Sequence, residues 1–221
     1  MLRTSSSIAK KLSCTKSTST GQLAAAHLLA ADKRFEPLVA AQGPIDLGGV
    51  KKASTAFGAL LKTIVFQQLA AKAANTIHTR VLDAVKSDPP TPAGVLSTPY
   101  ADLRGAGLSE RKASYIIDLA THFADGRLSD EMLQTASDEE VIAALTAVKG
   151  IGPSSCNSFM IFQLCRPDIL PTTDMRVQKN MGKFLGFGDK TLSPAEMEGL
   201  SSSWSPYRSY ASYYLWCDRS M

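Results

Sequence analysis

Residues 148–156 read Val148-Lys149-Gly150-Ile151-Gly152-Pro153-Ser154-Ser155-Cys156, and 171–174 read Pro171-Thr172-Thr173-Asp174. Ser137-Asp138-Glu139-Glu140 upstream is a capping box, and an apolar stretch follows it to Ala147. The segment from Ser137 to Ala147 is therefore expected to be helical. Gly150-Ile151-Gly152 then makes a tight turn, and Pro153 suits the first position of a second helix, to about Leu164. The two helices and their turn form a hairpin. Ile151 can anchor the turn in a core, while Gly150 and Gly152 allow another backbone to come close. The N–H groups opening the second helix can cradle a phosphate.

Asp174 stands twenty residues after Ser154, before Met175-Arg176-Val177-Gln178-Lys179. Alone it reads as a helix cap. Beside a phosphate grip it also reads as a placed carboxylate, and a helix N-terminus suits both roles. A phosphate grip and one carboxylate are what chemistry on a single nucleotide requires. On the hairpin, Lys149, Gly150, Gly152, Ser154 and Ser155 are the candidate phosphate contacts. The carbonyls of Thr146, Val148 and Ile151 could hold a monovalent cation, Na+ or K+; no other cofactor is expected.

Outward from the hairpin, helices are predicted nearly throughout, with no alternating strand pattern. They cover Leu23–Ala31, Thr55–Val85, Thr98–Leu103, Ser109–Phe123, Ser129–Leu133, Met175–Leu185, Pro194–Ser201 and Pro206–Asp218. Phe35–Ala53, with Gly43-Pro44 and Gly48-Gly49, reads as irregular connection, and 87–92 as a surface loop. The fold class is all-α, with many short helices. Gln67-Gln68 sits in the apolar run 63–70, where a buried pair needs partners or probes the gap left by an extruded nucleotide. The segment 204–216 holds both tryptophans and four of the six tyrosines. These read mostly as core, with one or two able to wall a base pocket by stacking. Arg176, Lys179 and Lys183 share one helix face, read as solvated.

Composition bounds the alternatives. The 221 residues are 44% hydrophobic, with net charge +4 and pI about 8.9. That permits nucleic-acid binding without requiring it. No apolar run reaches membrane-span length. Cys14, Cys156, Cys165 and Cys217 show no paired spacing, and the three histidines no metal-binding spacing. Disulfide frameworks and zinc or iron–sulfur centres are therefore disfavoured. Residues 1–20 lack acidic side chains and are rich in Ser, Thr and Lys. They read as a disordered basic tail or an organelle transit segment, with 21–221 the folded domain. The expected compartment is the nucleus, or a mitochondrion or other organelle if the tail is a transit segment.

Four blocks now carry a resemblance: 64–74 (Ile-Val-Phe-Gln-Gln-Leu-Ala-Ala-Lys-Ala-Ala); Leu103-Arg104 to Ser109 with Lys112-Ala113; the hairpin through Asp174; and Trp204–Ser209 to Leu215-Trp216. In this order they resemble the helix-hairpin-helix DNA glycosylases, specifically the alkyl-base (3-methyladenine) branch, over roughly 22–219. The resemblance implies two helical lobes flanking a DNA-binding cleft. It implies a monomer that acts on double-stranded DNA containing damaged bases, in base excision repair, by hydrolysing the N-glycosidic bond. Asp174 matches the catalytic aspartate, and 149–155 the phosphate grip. Gln68 or Leu69 falls where a side chain wedges into the duplex, and Trp216 where an aromatic lines the pocket. Ser154 stands where relatives carry Trp or Lys, and the missing Lys implies a monofunctional enzyme. Ser158 stands where some relatives place a stacking aromatic, so Phe159 may be read as its substitute; Phe66 replaces a small residue. A non-catalytic DNA-binding module, and a glycosylase for oxidised or mismatched bases, remain the alternatives.

Overall fold

The computed structural model describes residues 19–49 and 53–218. It contains thirteen α-helices and, among the described residues, no strand. The helices are α1 (Thr20–Ala31), α2 (Glu36–Gln42), α3 (Ala56–Phe66), α4 (Ala71–Val85), α5 (Pro92–Ser97), α6 (Tyr100–Gly105), α7 (Glu110–Ala124), α8 (Asp130–Thr135), α9 (Asp138–Thr146), α10 (Pro153–Phe162), α11 (Met175–Phe184), α12 (Pro194–Leu200) and α13 (Arg208–Cys217). Short 3-10 turns cover Lys33–Phe35 and Ser202–Trp204.

Packing sorts these helices into two lobes. In the middle of the chain, α7 runs along α3 and α5, α4 packs on α3, α5 and α6, α10 packs on α3, and α9 packs on α10. The two ends of the chain meet in the other lobe, where α1, α2 and α11 pack on α13 and α12 packs on α11. That lobe closes around an aromatic cluster. Phe35 lies 4.6 Å from Phe184 and 5.3 Å from Trp204 between ring centroids, and Tyr214 closes the group at 6.3 Å from Phe35. The Tyr214 hydroxyl donates to the Gly43 carbonyl at 2.8 Å, so the buried ring keeps a polar partner.

Helix starts follow the sequence rules closely. Ser109, Ser129, Ser137 and Ser193 each cap the next helix through the side-chain oxygen, and the capping box predicted at Ser137/Glu140 is present. Pro153 and Pro194 open helices as expected. Pro206 does not: α13 begins two residues later, at Arg208.

Four other expectations are corrected. Phe35–Ala53 is not simply a connection, because Phe35 ends a 3-10 turn that leads into α2, whose Leu38 packs into the core. The helix expected over Thr98–Leu103 is α6, which starts two residues later after Pro99, and a further helix, α5, precedes it where none was expected. Ser19 and Thr20 belong to the fold, since Ser19 forms a capping box with Gln22 at the start of α1; the rest of the predicted tail, 1–18, and Cys14 lie outside the described residues. Most consequentially, Thr55–Val85 is not one helix. It breaks at 67–70, where Gln68 adopts φ +56°, so α3 and α4 fold back on each other. Periodicity misses this break because the apolar pattern continues through it.

One ion pair fastens the last segment to the loop after α10. Arg208 donates Nε and Nη2 to the two Asp168 oxygens, both at 2.8 Å, and Asp168 also accepts from the Arg208 N–H and the Ser205 hydroxyl. Burial alone would raise the Asp168 pKa, but the Arg208 and Ser205 hydrogen bonds outweigh it and hold the carboxyl below its ordinary value of 3.8. A carboxyl depressed in the folded state contributes stability above its unfolded value and loses it as pH falls through the folded value. Asp168→Asn is expected to cost about 2 kcal/mol at pH 7, because it leaves a half-buried guanidinium without its charge partner. Urea unfolding at pH 7 and below pH 4 checks this: the gap between parent and variant should narrow in acid.

Candidate active site and nucleic-acid interface

The hairpin is α9, a turn over 147–152, and α10. Ile151 and Val148 are buried and pin the turn to the core, as the sequence suggested. Gly150 has φ +82°, and a Cβ there would overlap the Tyr115 ring of α7, so this glycine is required by the fold. Gly152 has ordinary extended geometry, and a Cβ built on it meets nothing within 4 Å. The fold does not need glycine at 152. What it leaves there is open space at the mouth of α10.

That mouth is electrostatically unfinished. Pro153 has no N–H, the Ser154 and Ser155 amides lie in a first turn that offers them no carbonyl, and no side chain caps the helix. Eight of the other helices carry a side-chain oxygen for this purpose at their N-cap. An anion fits the exposed end of α10. Gly152→Ala should therefore leave the melting temperature within a few degrees of the parent while weakening binding to duplex DNA several-fold in a fluorescence-anisotropy titration. Equal affinity in the two proteins would remove Gly152 from the interface.

Lys149 is exposed, but not free. Its N–H donates to Asp118 Oδ2 at 2.9 Å, and its ammonium lies 3.6 Å from Asp118 Oδ1. Ser155 is half-buried and its hydroxyl accepts from Gln67 Nε2 at 3.3 Å. Gln67 Nε2 also donates to the Gly150 carbonyl at 2.8 Å, which ties the α3–α4 loop directly to the hairpin. The Gln pair thus splits. Gln67 is a structural link, whereas Gln68 and Leu69 are exposed at the tip of the loop. Of the three carbonyls singled out for a cation, Val148 already accepts from the Ile151 N–H at 3.1 Å. The donors are neutral oxygens with no carboxylate among them, a set that fits a monovalent ion better than a divalent one.

Asp174 is the N-cap of α11. Its Oδ1 accepts from the Val177 N–H at 2.9 Å, and its own N–H donates to the Pro171 carbonyl at 3.0 Å. Gln178 Nε2 donates to the Thr172 carbonyl at 2.7 Å and stiffens the approach. Asp174 is half-buried, and Oδ2 accepts no hydrogen bond from any described residue. One oxygen is held and the other is available. On the same helix Arg176 and Lys179 are exposed as expected, and Lys183 pairs with Asp189 at 3.3 Å.

Between α3, α4 and α10 runs a cleft of about 830 Å3. Phe66, Gln67, Ser158, Phe159 and Phe162 line one end of it; Gly58, Leu82 and Pro90 lie among its other walls. Phe66 lies under the Lys62 ammonium, 5.3 Å from its ring centroid, and edge-on to His78. Burial, together with the nearby Lys62 charge, holds the His78 pKa below its ordinary value. Phe159, predicted for the pocket, is a wall of this cleft. Trp216 is not in its lining, but stacks on Phe162, which is, at 5.4 Å and 30°. Phe162 is the wall residue that sequence reasoning missed; its spacing of three from Phe159 on one helix was the available signal. Asp174, Gln68 and Leu69 are likewise outside the lining. The link from Asp174 to the cleft wall runs through packing: α11 lies on α13, where Asn180 Nδ2 donates to the Leu215 carbonyl at 2.7 Å, and Leu215 adjoins Trp216. The buried Cys156 thiol is pushed up to about 11 and is no nucleophile.

A hairpin with an uncapped second helix, a capped carboxylate downstream and an aromatic cleft between helices define a class of DNA repair protein. The chain belongs to the HhH-GPD superfamily of base excision DNA repair proteins, whose model matches residues 61–206. Among individual relatives, YfjP of Bacillus subtilis is 33% identical over 166 residues, covering 72% of this chain and 58% of that protein. DNA-3-methyladenine glycosylase 1 of Schizosaccharomyces pombe is 29% identical over 192 residues, covering 86% of this chain and 84% of the relative. The chain thus spans less than two thirds of the first of these and most of the second. Among solved structures, a DNA-3-methyladenine glycosidase from Bacillus halodurans superposes with TM-score 0.78 at 31% identity, covering 87% of each chain. The S. pombe 3-methyladenine DNA glycosylase Mag1, in complex with abasic DNA, gives 0.75 at 27% identity, covering 88% of this chain and 95% of that one. The all-α, two-lobed helix-hairpin-helix fold expected from sequence is the fold found.

Proposed function

We propose that this chain is a monofunctional DNA glycosylase that excises alkylated purines of the 3-methyladenine type from double-stranded DNA, acting as a monomer. The observation that carries the reading is Asp174, with one oxygen fixed by the α11 cap and the other without a protein partner, downstream of an uncapped hairpin helix. The names of the relatives support the substrate class.

In this reading α10 and Lys149 grip the strand while the damaged nucleotide turns out of the stack toward the aromatic cleft. A cationic alkylated purine stacks on electron-rich rings, here Phe162, which Trp216 backs from behind. As the C1′–N bond breaks, the base leaves with the bonding pair and positive charge builds on the sugar. Asp174 stabilises that charge and accepts the proton of the water that attacks C1′. With Ser at position 154, that position offers no amine to form a Schiff base, so the strand stays intact. A monovalent cation on the carbonyls of Thr146, Val148 and Ile151 would brace the turn without entering the chemistry.

The test is chromatographic detection of free base from methylated duplex DNA, run beside a duplex containing an oxidised purine. Release of 3-methyladenine, with the abasic strand cut only after alkali, is the expected result. No release from methylated DNA sinks the proposal.

A further inference from the structure

The break between α3 and α4 is held open by a residue from a third helix. Lys112, in the first turn of α7, extends its ammonium to the end of α3 and donates to the Val65 carbonyl at 2.7 Å and to the Gln67 carbonyl at 2.6 Å. Those carbonyls belong to the end of α3, which has no following turn to satisfy them. Lys112 is half-buried, so the bonds form where water competes poorly. Beyond them the chain turns through Gln68, whose φ of +56° is an uncommon backbone state for a side-chain-bearing residue. Gln68 and Leu69 are thereby presented to solvent. Beneath this loop lies a hollow of about 230 Å3, walled by Gln68, Leu69, Gly107, Ser109 and Lys112, so little packing supports the loop from below.

The same helix also holds the hairpin. Tyr115 lies against Gly150, Asp118 accepts from the Lys149 N–H, and Gln67 bridges the loop to the Gly150 carbonyl. Lys112, Tyr115 and Asp118 follow at three-residue steps along one face of α7. One rigid element therefore sets the position of both the phosphate grip and the exposed loop tip.

We infer that Lys112 is a positioning residue for base extrusion: its ammonium fixes the 67–70 loop in the bent form that drives Gln68 or Leu69 into the duplex. This rests on the glycosylase reading above. The contribution is directional. Without the ammonium, the two carbonyls turn to water and the loop loses the anchor that opposes its backbone strain.

The decisive experiment compares parent, Lys112→Met and Lys112→Arg, after circular dichroism shows parental helix content. Met keeps the apolar stem and removes the donors; Arg restores them. 2-Aminopurine beside the lesion reports unstacking, and base release is measured in parallel. Lys112→Met should slow the fluorescence rise and base release from duplex together by about tenfold or more. Affinity for undamaged duplex should hold within twofold, and hydrogen exchange should quicken at 67–70 only. Lys112→Arg should recover most of both rates. If Lys112→Met does not fold, Lys112→Gln takes its place with a smaller expected loss. Parental unstacking and release rates in Lys112→Met, or an equal loss in Lys112→Arg, overturn the inference alone. If the parent neither unstacks nor releases base, the glycosylase reading falls, and this inference with it.

Discussion

Asp174→Asn should reduce base release from methylated duplex by about a hundred- to ten-thousand-fold, the range for removing one positioned proton acceptor. Asn is chosen because it caps a helix about as well as Asp. Its side-chain oxygen can still accept from the Val177 N–H, now bonded at 2.9 Å, so α11 keeps its start. Only the negative charge is lost. DNA affinity and melting temperature should both stay near parental values. Single-turnover release at saturating enzyme separates this from a binding defect. A variant that releases base at the parental rate would show that Asp174 is a cap and nothing more.

Trp204→Ala is the second large effect, and it acts on stability. Trp204 is 1% exposed and packs edge-on against Phe35 and Phe184, at 5.3 and 5.8 Å. Truncating it leaves a cavity where helices from both ends of the chain meet, at a cost of about 4 kcal/mol. For a chain of this size that lowers the melting temperature by roughly 10 °C. Phe184 ends α11, the helix that Asp174 starts, so the cluster anchors the far end of that helix. Urea titration measures the loss. A change under about 1 kcal/mol would mean that the cavity collapses and the cluster is not the keystone of its lobe.

Much of this was readable because short-range chemistry governs it. Ser109, Ser137 and Pro153 announce helix starts through side-chain oxygens or a fixed φ, and each was where the sequence put it. The hairpin and the Asp174 cap are likewise local. The break at 67–70 was not legible, since it is held by Lys112 from 45 residues away in sequence and by Gly150 from 83 away. Nothing in the run Ile64–Ala74 signals a stop. Phe162 was missed for a related reason: a ring at the end of a helix becomes a cleft wall only once α13 brings Trp216 against it. The reach from Asp174 to the cleft is a long-range relation too, and the sequence supplied its two ends without the path.

The two amide side chains along the cleft are spoken for, and so is one of its hydroxyls. Gln163 donates to the Ala53 carbonyl and accepts from the Ala53 N–H, Gln67 Nε2 is spent on Gly150 and Ser155, and the Thr63 hydroxyl bonds within α3. A nucleobase entering there meets aromatic faces before it meets any unengaged amide. Reading of a Watson–Crick edge would fall to His78, Asp88 and Ser158 rather than to an amide. In the proposed glycosylase, lability would add to what these groups select: a base whose bond to the sugar is already weakened by alkylation departs most readily.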